Sequence, residues 1–207
     1  PRTFSSAASD VYKRQRLYCN YSNSGDVPMV SVLAGWFSNV SAVGFSGSRS
    51  SVPLAEVSLA VSLVPSGVPI SVGCADGVDE YVRSLLLAAG VPFSLFSVSS
   101  GSWGSGRGAF AGRSIACVRS VGVRGLWVSF PSASCPSGLV PSSSSSRCFS
   151  GFGSGSWGSL AFAVGSGIPS LVFLGLISCP SDWGFAAVPG FPGWFGFSPS
   201  SVQLSLF

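Results

Sequence analysis

Histidine is absent from the chain, and no lysine follows Lys13. The first absence excludes Ser-His-Asp and Cys-His catalysis and any histidine-ligated metal site. The second, with a formal net charge of only +4, leaves too little positive surface to hold nucleic acid by electrostatics alone. Six cysteines occur, but none forms a C-x-x-C pair, so neither a zinc ribbon nor a thioredoxin-like motif is expected. No metal site is expected at all. Cys135 and Cys148 flank a polar loop and could meet; the alternative is that the cysteines are small buried residues in a reducing cytoplasm.

Charge of either sign is scarce. Charged residues make up 9% of the chain against 46% hydrophobic, with a mean hydropathy of +0.52, a balance met in membrane and secreted proteins and in non-coding frames. The longest charge-free run lies between Arg147 and Asp182. A membrane-spanning helix needs about 20 predominantly apolar residues. Here Gly165-Ser166-Gly167-Ile168-Pro169 divides the run, which reads as a buried helix, a turn and a buried parallel strand. No membrane association is expected. No basic–apolar–small leader pattern follows Met29, and a cytoplasmic location is expected.

Ser5 to Gln15 matches the translation of an adapter used in transposase-based sequencing libraries. Residues 1–28 are therefore expected to be a sequencing scar and upstream translation rather than native protein. Met29 is the only methionine and the expected start. From there on, seven arginines against five acids leave a net charge of about +2.

From Val40 onward, strand-like and helix-like pieces alternate. Strands are expected at Val40 to Phe45, Val68 to Val72, Val91 to Val98, Leu126 to Phe130 and Ser170 to Leu174. Helices are expected at Pro53 to Val64, Gly77 to Ala89, Gly108 to Val121 and Gly155 to Val164. On the second of these, Val78, Val82, Leu85, Leu86 and Ala89 form one apolar stripe, and Asp79 is placed to pair with Arg83 at i,i+4. The loop from Pro131 to Ser150 carries a run of serines too polar to order itself. The alternation predicts an α/β fold: a Rossmann-like open, mostly parallel sheet of about five strands with helices on both faces. The expected division is a Rossmann-like domain over 29–178 and an aromatic Gly/Pro-rich tail over 179–207. That tail is expected to wrap the core, to mediate contacts in a homo-oligomer, or to be poorly ordered.

Ligands of open parallel sheets sit beyond the carboxyl ends of the strands. Four features converge there. Gly47-Ser48-Arg49 offers backbone N–H groups, a hydroxyl and a guanidinium. Asp76-Gly77 places Asp79 in the first turn of the following helix. Arg107 and Arg113 precede and enter the next helix, and Gly153-Ser154-Gly155-Ser156 opens the last one. Two glycine loops with arginines make an anion cradle, most simply for phosphate or pyrophosphate. Gly47, Ser48, Arg49, Gly153, Gly155 and Ser156 are the expected phosphate binders, with Gly77 in the same junction and Arg113 neutralising ligand charge. Asp79 either favours its helix N-terminus or accepts a hydrogen bond from a ribose or base. Trp157 is read as core rather than as a stacking platform, and Arg83, Arg119 and Arg124 as solvated surface charges.

Val43 to Arg49, Gly73 to Asp79, Gly112-Arg113-Ser114 and Gly153 to Trp157 together resemble the SLOG superfamily of Rossmann-like nucleotide-ligand domains, related to the DNA-processing protein A and Lonely Guy families. The resemblance covers roughly Val40 to Leu174 and implies a nucleotide-derived or phosphoribosyl ligand across these loops. Lonely Guy enzymes carry a Pro-Gly-Gly-x-Gly-Thr-x-x-Glu motif whose acid serves glycosidic cleavage. Aligning Gly155-Ser156 on its Gly-Thr puts Ser159 at that acid's place, and a serine cannot replace a carboxylate there. The reading is a small binding domain for a nucleotide or nucleotide-derived phosphate ligand, in a sensor or accessory role, with no other cofactor. Two alternatives stand beside it. One is an N-glycosidic or phosphoribosyl hydrolase using Asp76 or Asp79, and the other is a DNA-processing accessory protein, although nucleic acid is not the expected partner.

Overall fold

A computed structural model of the chain describes residues 30–100, 103–104 and 106–199. The expected non-native segment 1–28 and the Arg107 side chain lie outside the described residues.

The elements run α1 (Val30–Phe37), β1 (Val43–Gly47), α2 (Leu54–Ser62), β2 (Ile70–Gly73), α3 (Val78–Ala88), β3 (Ser94–Phe96) and α4 (Gly106–Val121). They continue with β4 (Leu126–Phe130), α5 (Ser145–Cys148), α6 (Gly155–Gly165), β5 (Ser170–Phe173), β6 (Ala186–Ala187) and β7 (Trp194–Phe197). One open sheet has the order β3-β2-β1-β4-β5-β7-β6. Its first five strands are parallel, and β7 joins β5 antiparallel with β6 outside it. The fold is thus α/β, as expected, with seven strands rather than about five. The two additional strands come from the aromatic segment after Cys179, whose Gly and Pro residues mask a strand signal.

Both central strands are buried on both faces, so they read as unbroken apolar runs rather than alternating ones. The period of two still decides which core each residue enters. Val43 and Phe45 of β1 and Leu126, Val128 and Phe130 of β4 face one core, packed by α1, α2 and α3. Trp127 faces the other, with α4, α5 and α6. Gly44, opposite Trp127 in the register, has no side chain because a Cβ there would enter the Trp127 ring. On α3 part of the expected stripe is observed: Val78, Val82 and Leu86 are buried one turn apart and Leu85 is half-buried, whereas Ala89 is exposed at the C-cap, beyond the last helical turn.

Every residue of α6 from Trp157 to Val164 is buried, which accounts for the charge-free run. Among the described residues no helix is long and apolar enough to cross a membrane. The serine-rich loop departs from expectation. It contains α5, held by burial of Cys148, whose thiol contacts the Ser142 carbonyl. Gly165 lies so close to the Ser142 backbone that a Cβ would collide with it. Tertiary packing therefore overrides the local composition. Residues 179–199 cover the core: Trp183 packs edge-on against Trp157 at 5.6 Å, and Trp194 edge-on against Phe130 at 5.6 Å.

Candidate functional site

The order 3-2-1-4-5 reverses direction between β1 and β4. Crevices open at such a switch point, outside the carboxyl ends of the two strands. A cavity of about 720 Å³ lies there. Its walls come from the ends of β1 and β4, from β2 and α3, from α4, and from the loop into α6.

The β1 end is held by its own hydrogen bonds. Ser48 donates its N–H to the Phe130 carbonyl at 2.9 Å and accepts the Val78 N–H on its own carbonyl at 2.9 Å. Its Oγ accepts from Ser50 N at 3.2 Å, Ser51 N at 3.3 Å and Ser132 Oγ at 2.6 Å. Gly77 makes this contact between loops achievable. It has φ +74°, and a Cβ there would collide with the Ser48 carbonyl and the Arg49 backbone. Gly47 has a parallel role, since a Cβ would lie 2.5 Å from Val78 Cγ2. The Ser48 amide and hydroxyl are therefore committed to the turn, and what the turn presents is Arg49. The exposed Arg49 guanidinium lies over the Phe110 ring, 5.3 Å from its centroid.

The expected Asp79–Arg83 surface pair is not formed. Asp79 turns inward and pairs with Arg113, Oδ2 to Nη1 at 3.1 Å, with each residue only 5% exposed. Arg83 is not a solvated charge either; its Nη1 donates to the Gly73 and Ala75 carbonyls. A period of 3.6 places residues on a helix face but says nothing of what lies under it. Here Gly73 leaves the space, because a Cβ on it would strike both Arg113 Nη1 and Asp79 Oδ2. Burial pushes the Asp79 carboxyl above its ordinary value of 3.8, opposed by the Arg113 charge and hydrogen bond and by a hydrogen bond from the Ala75 backbone. Burial also pushes the neighbouring Cys117 thiol up, which disfavours the thiolate. Arg113 Nε and Trp127 Nε1 are buried donors with no partner among the described residues, and both residues line the cavity.

At the start of α6, Ser154 is the N-cap, with φ −120° and ψ 109°, and its side chain accepts the Trp157 N–H at 3.4 Å. The N–H groups of Gly155 and Ser156 have no partner among the described residues and stand at the positive end of a buried helix. Ser159 is buried and donates to the Gly155 carbonyl at 2.8 Å, so its hydroxyl is turned onto its own helix. Trp157 is core, its Nε1 donating to the Ala133 carbonyl at 2.8 Å.

Of the expected ligand-binding residues, Gly47, Ser48, Arg49 and Asp79 line the cavity, and so do Arg113, Gly153, Gly155 and Ser156. Gly77 lies behind the wall, and Asp76 is exposed outside the cavity. Sequence reasoning missed the aromatic lining of Phe110, Phe149 and Phe152. Two signals point to it. Phe110 precedes Arg113 by one helical turn, and Phe152 immediately precedes the Gly153 loop. Among the described residues no cluster of three His, Cys, Asp or Glu could hold a metal ion. The five described cysteines are free, so the envisaged Cys135–Cys148 meeting does not form a disulfide.

Comparison of the chain with family models, with curated proteins and with solved structures finds no match.

Proposed function

We propose that this cavity binds a nucleotide or nucleotide-derived phosphate ligand, in a cytoplasmic sensor or accessory role. The observation that carries the reading is that Arg49 and the Gly155 and Ser156 N–H groups, which have no partner among the described residues, line one cavity. A helix N-terminus and a guanidinium together suit a phosphoryl group. Phe110, Phe149 and Phe152 supply flat apolar surface for a heterocycle. The resemblance to the SLOG superfamily points the same way, and free thiols suit a reducing compartment.

Binding rather than catalysis is favoured by the acids. Among the described residues Asp79 is the one carboxylate on the cavity wall, and it is held by Arg113. Ser159 stands where the resemblance would require a catalytic glutamate. The hydrolase alternative would use Asp79 and predicts product formation from nucleoside monophosphates.

A thermal-shift screen with AMP, ADP-ribose, NAD and cyclic nucleotides tests the proposal. A ligand at 100 times its Kd stabilises the fold by about 2.7 kcal/mol, which raises Tm by about 5–10 °C in a domain of this size. Arg49→Ala is expected to weaken the active ligand about tenfold or more, through loss of a charge-assisted hydrogen bond. No shift with any phosphate-bearing ligand would overturn the reading.

A further inference from the structure

The Asp79–Arg113 pair lies inside the cavity, yet its charges are directed at each other. A guanidinium carries five N–H donors in a rigid fork. One is committed to Asp79, while Nε is buried with no partner among the described residues. Leaving such a donor unmet is costly, so buried donors of native proteins are met by protein, water or ligand. The second orphan donor, Trp127 Nε1, belongs to another residue of the same wall.

We infer that Arg113 is a specificity-determining residue that reads an uncharged acceptor on the ligand, a ribose hydroxyl or a heterocycle nitrogen or carbonyl, and not its phosphate. The inference rests on the proposed nucleotide site and distinguishes two kinds of donor on its wall. The anion binders are Arg49 and the Gly155 and Ser156 amides, whose positive charge meets no carboxylate among the described residues. Arg113 differs, because the Asp79 carboxylate already balances its guanidinium and would repel a second anion. A neutral acceptor suits a donor whose charge is already matched. On this inference Arg113 does not serve to neutralise ligand charge. The ligand class follows: one phosphoryl group for Arg49 and the α6 amides, and a neutral polar acceptor for Arg113.

Isothermal titration of the full chain with AMP and with inorganic phosphate tests this. Arg113→Lys keeps a cation for Asp79 but removes the planar fork of guanidinium donors. It is expected to lower AMP affinity about ten- to a hundredfold while inorganic phosphate changes less than twofold. Equal losses for both probes would make Arg113 a phosphate reader, and no loss for either would leave it purely structural; both results overturn the inference. If Arg113→Lys does not fold, the paired Asp79→Leu/Arg113→Met variant removes both charges at similar volume, and the same split is expected. If the unaltered chain does not bind AMP, the ADP-ribose, NAD or cyclic nucleotide that shifts its Tm takes AMP's place; failure of all of them removes the nucleotide reading itself and this inference with it. Binding of both with no split removes this inference alone.

Discussion

Gly77→Ala is expected to destabilise the fold by about 2–6 kcal/mol. Two costs combine. A non-glycine residue in this region of backbone space is strained by about 1–3 kcal/mol, and Gly77 has φ +74° and ψ −123°. A Cβ would also meet backbone rather than a yielding side chain, at Ser48 and Arg49, and overpacking costs about 1–3 kcal/mol more. The neighbouring Val78 N–H donates to the Ser48 carbonyl at 2.9 Å, so the clash falls on the contact that fixes the Arg49 turn. Denaturant unfolding is the check: Cm should fall with an unchanged slope. A loss below about 0.5 kcal/mol, the range of ordinary surface substitutions, would mean that the two loops do not touch.

Asp79→Ala is expected to cost about 3–5 kcal/mol, because it leaves Arg113 buried and without its carboxylate. The cause is the uncompensated charge rather than the lost attraction. The paired Asp79→Leu/Arg113→Met variant should therefore recover most of the loss, since apolar residues of similar volume often replace a buried ion pair without penalty. Chemical unfolding of the single and paired variants separates the two explanations. A paired variant as unstable as Asp79→Ala would show that the carboxylate supports the fold in another way. Gly73 belongs to the same unit, because its missing side chain is the room in which the pair sits.

The parallel core of the fold is legible in the chain because its strands are bounded by turns and the first four are each followed by a helix. β4 is read to the residue, since Leu126 to Phe130 is a short apolar run between Gly125 and Pro131. β3 is read too long: of Val91 to Val98, only Ser94–Phe96 pairs with β2. β6 and β7 are missed because Trp194 to Phe197 owes its strand to pairing with β5, a partner distant in sequence. At the site, the glycine junctions are visible because turns of that kind need glycine locally. The inward rotation of Asp79 is not, because it depends on the empty space at Gly73 and on an arginine 34 residues away. The serines mislead for the same reason: Ser48 looks free in the sequence, yet its hydroxyl is occupied by Ser50, Ser51 and Ser132.

The most direct test of the central claim, that the α6 N-terminus holds the ligand's phosphate, is a calorimetric titration of the chain and of its Gly155→Pro variant with AMP. Gly155 is the first helical residue, where proline is well tolerated. The extended Ser154 before it suits a following proline, and nothing lies within 4 Å of a Cβ at 155. The substitution therefore removes one N–H while keeping the helix, with unliganded stability unchanged or raised by up to about 1 kcal/mol. The account predicts AMP binding weakened about tenfold or more in this fully folded variant. Equal AMP affinity in the two proteins would contradict it.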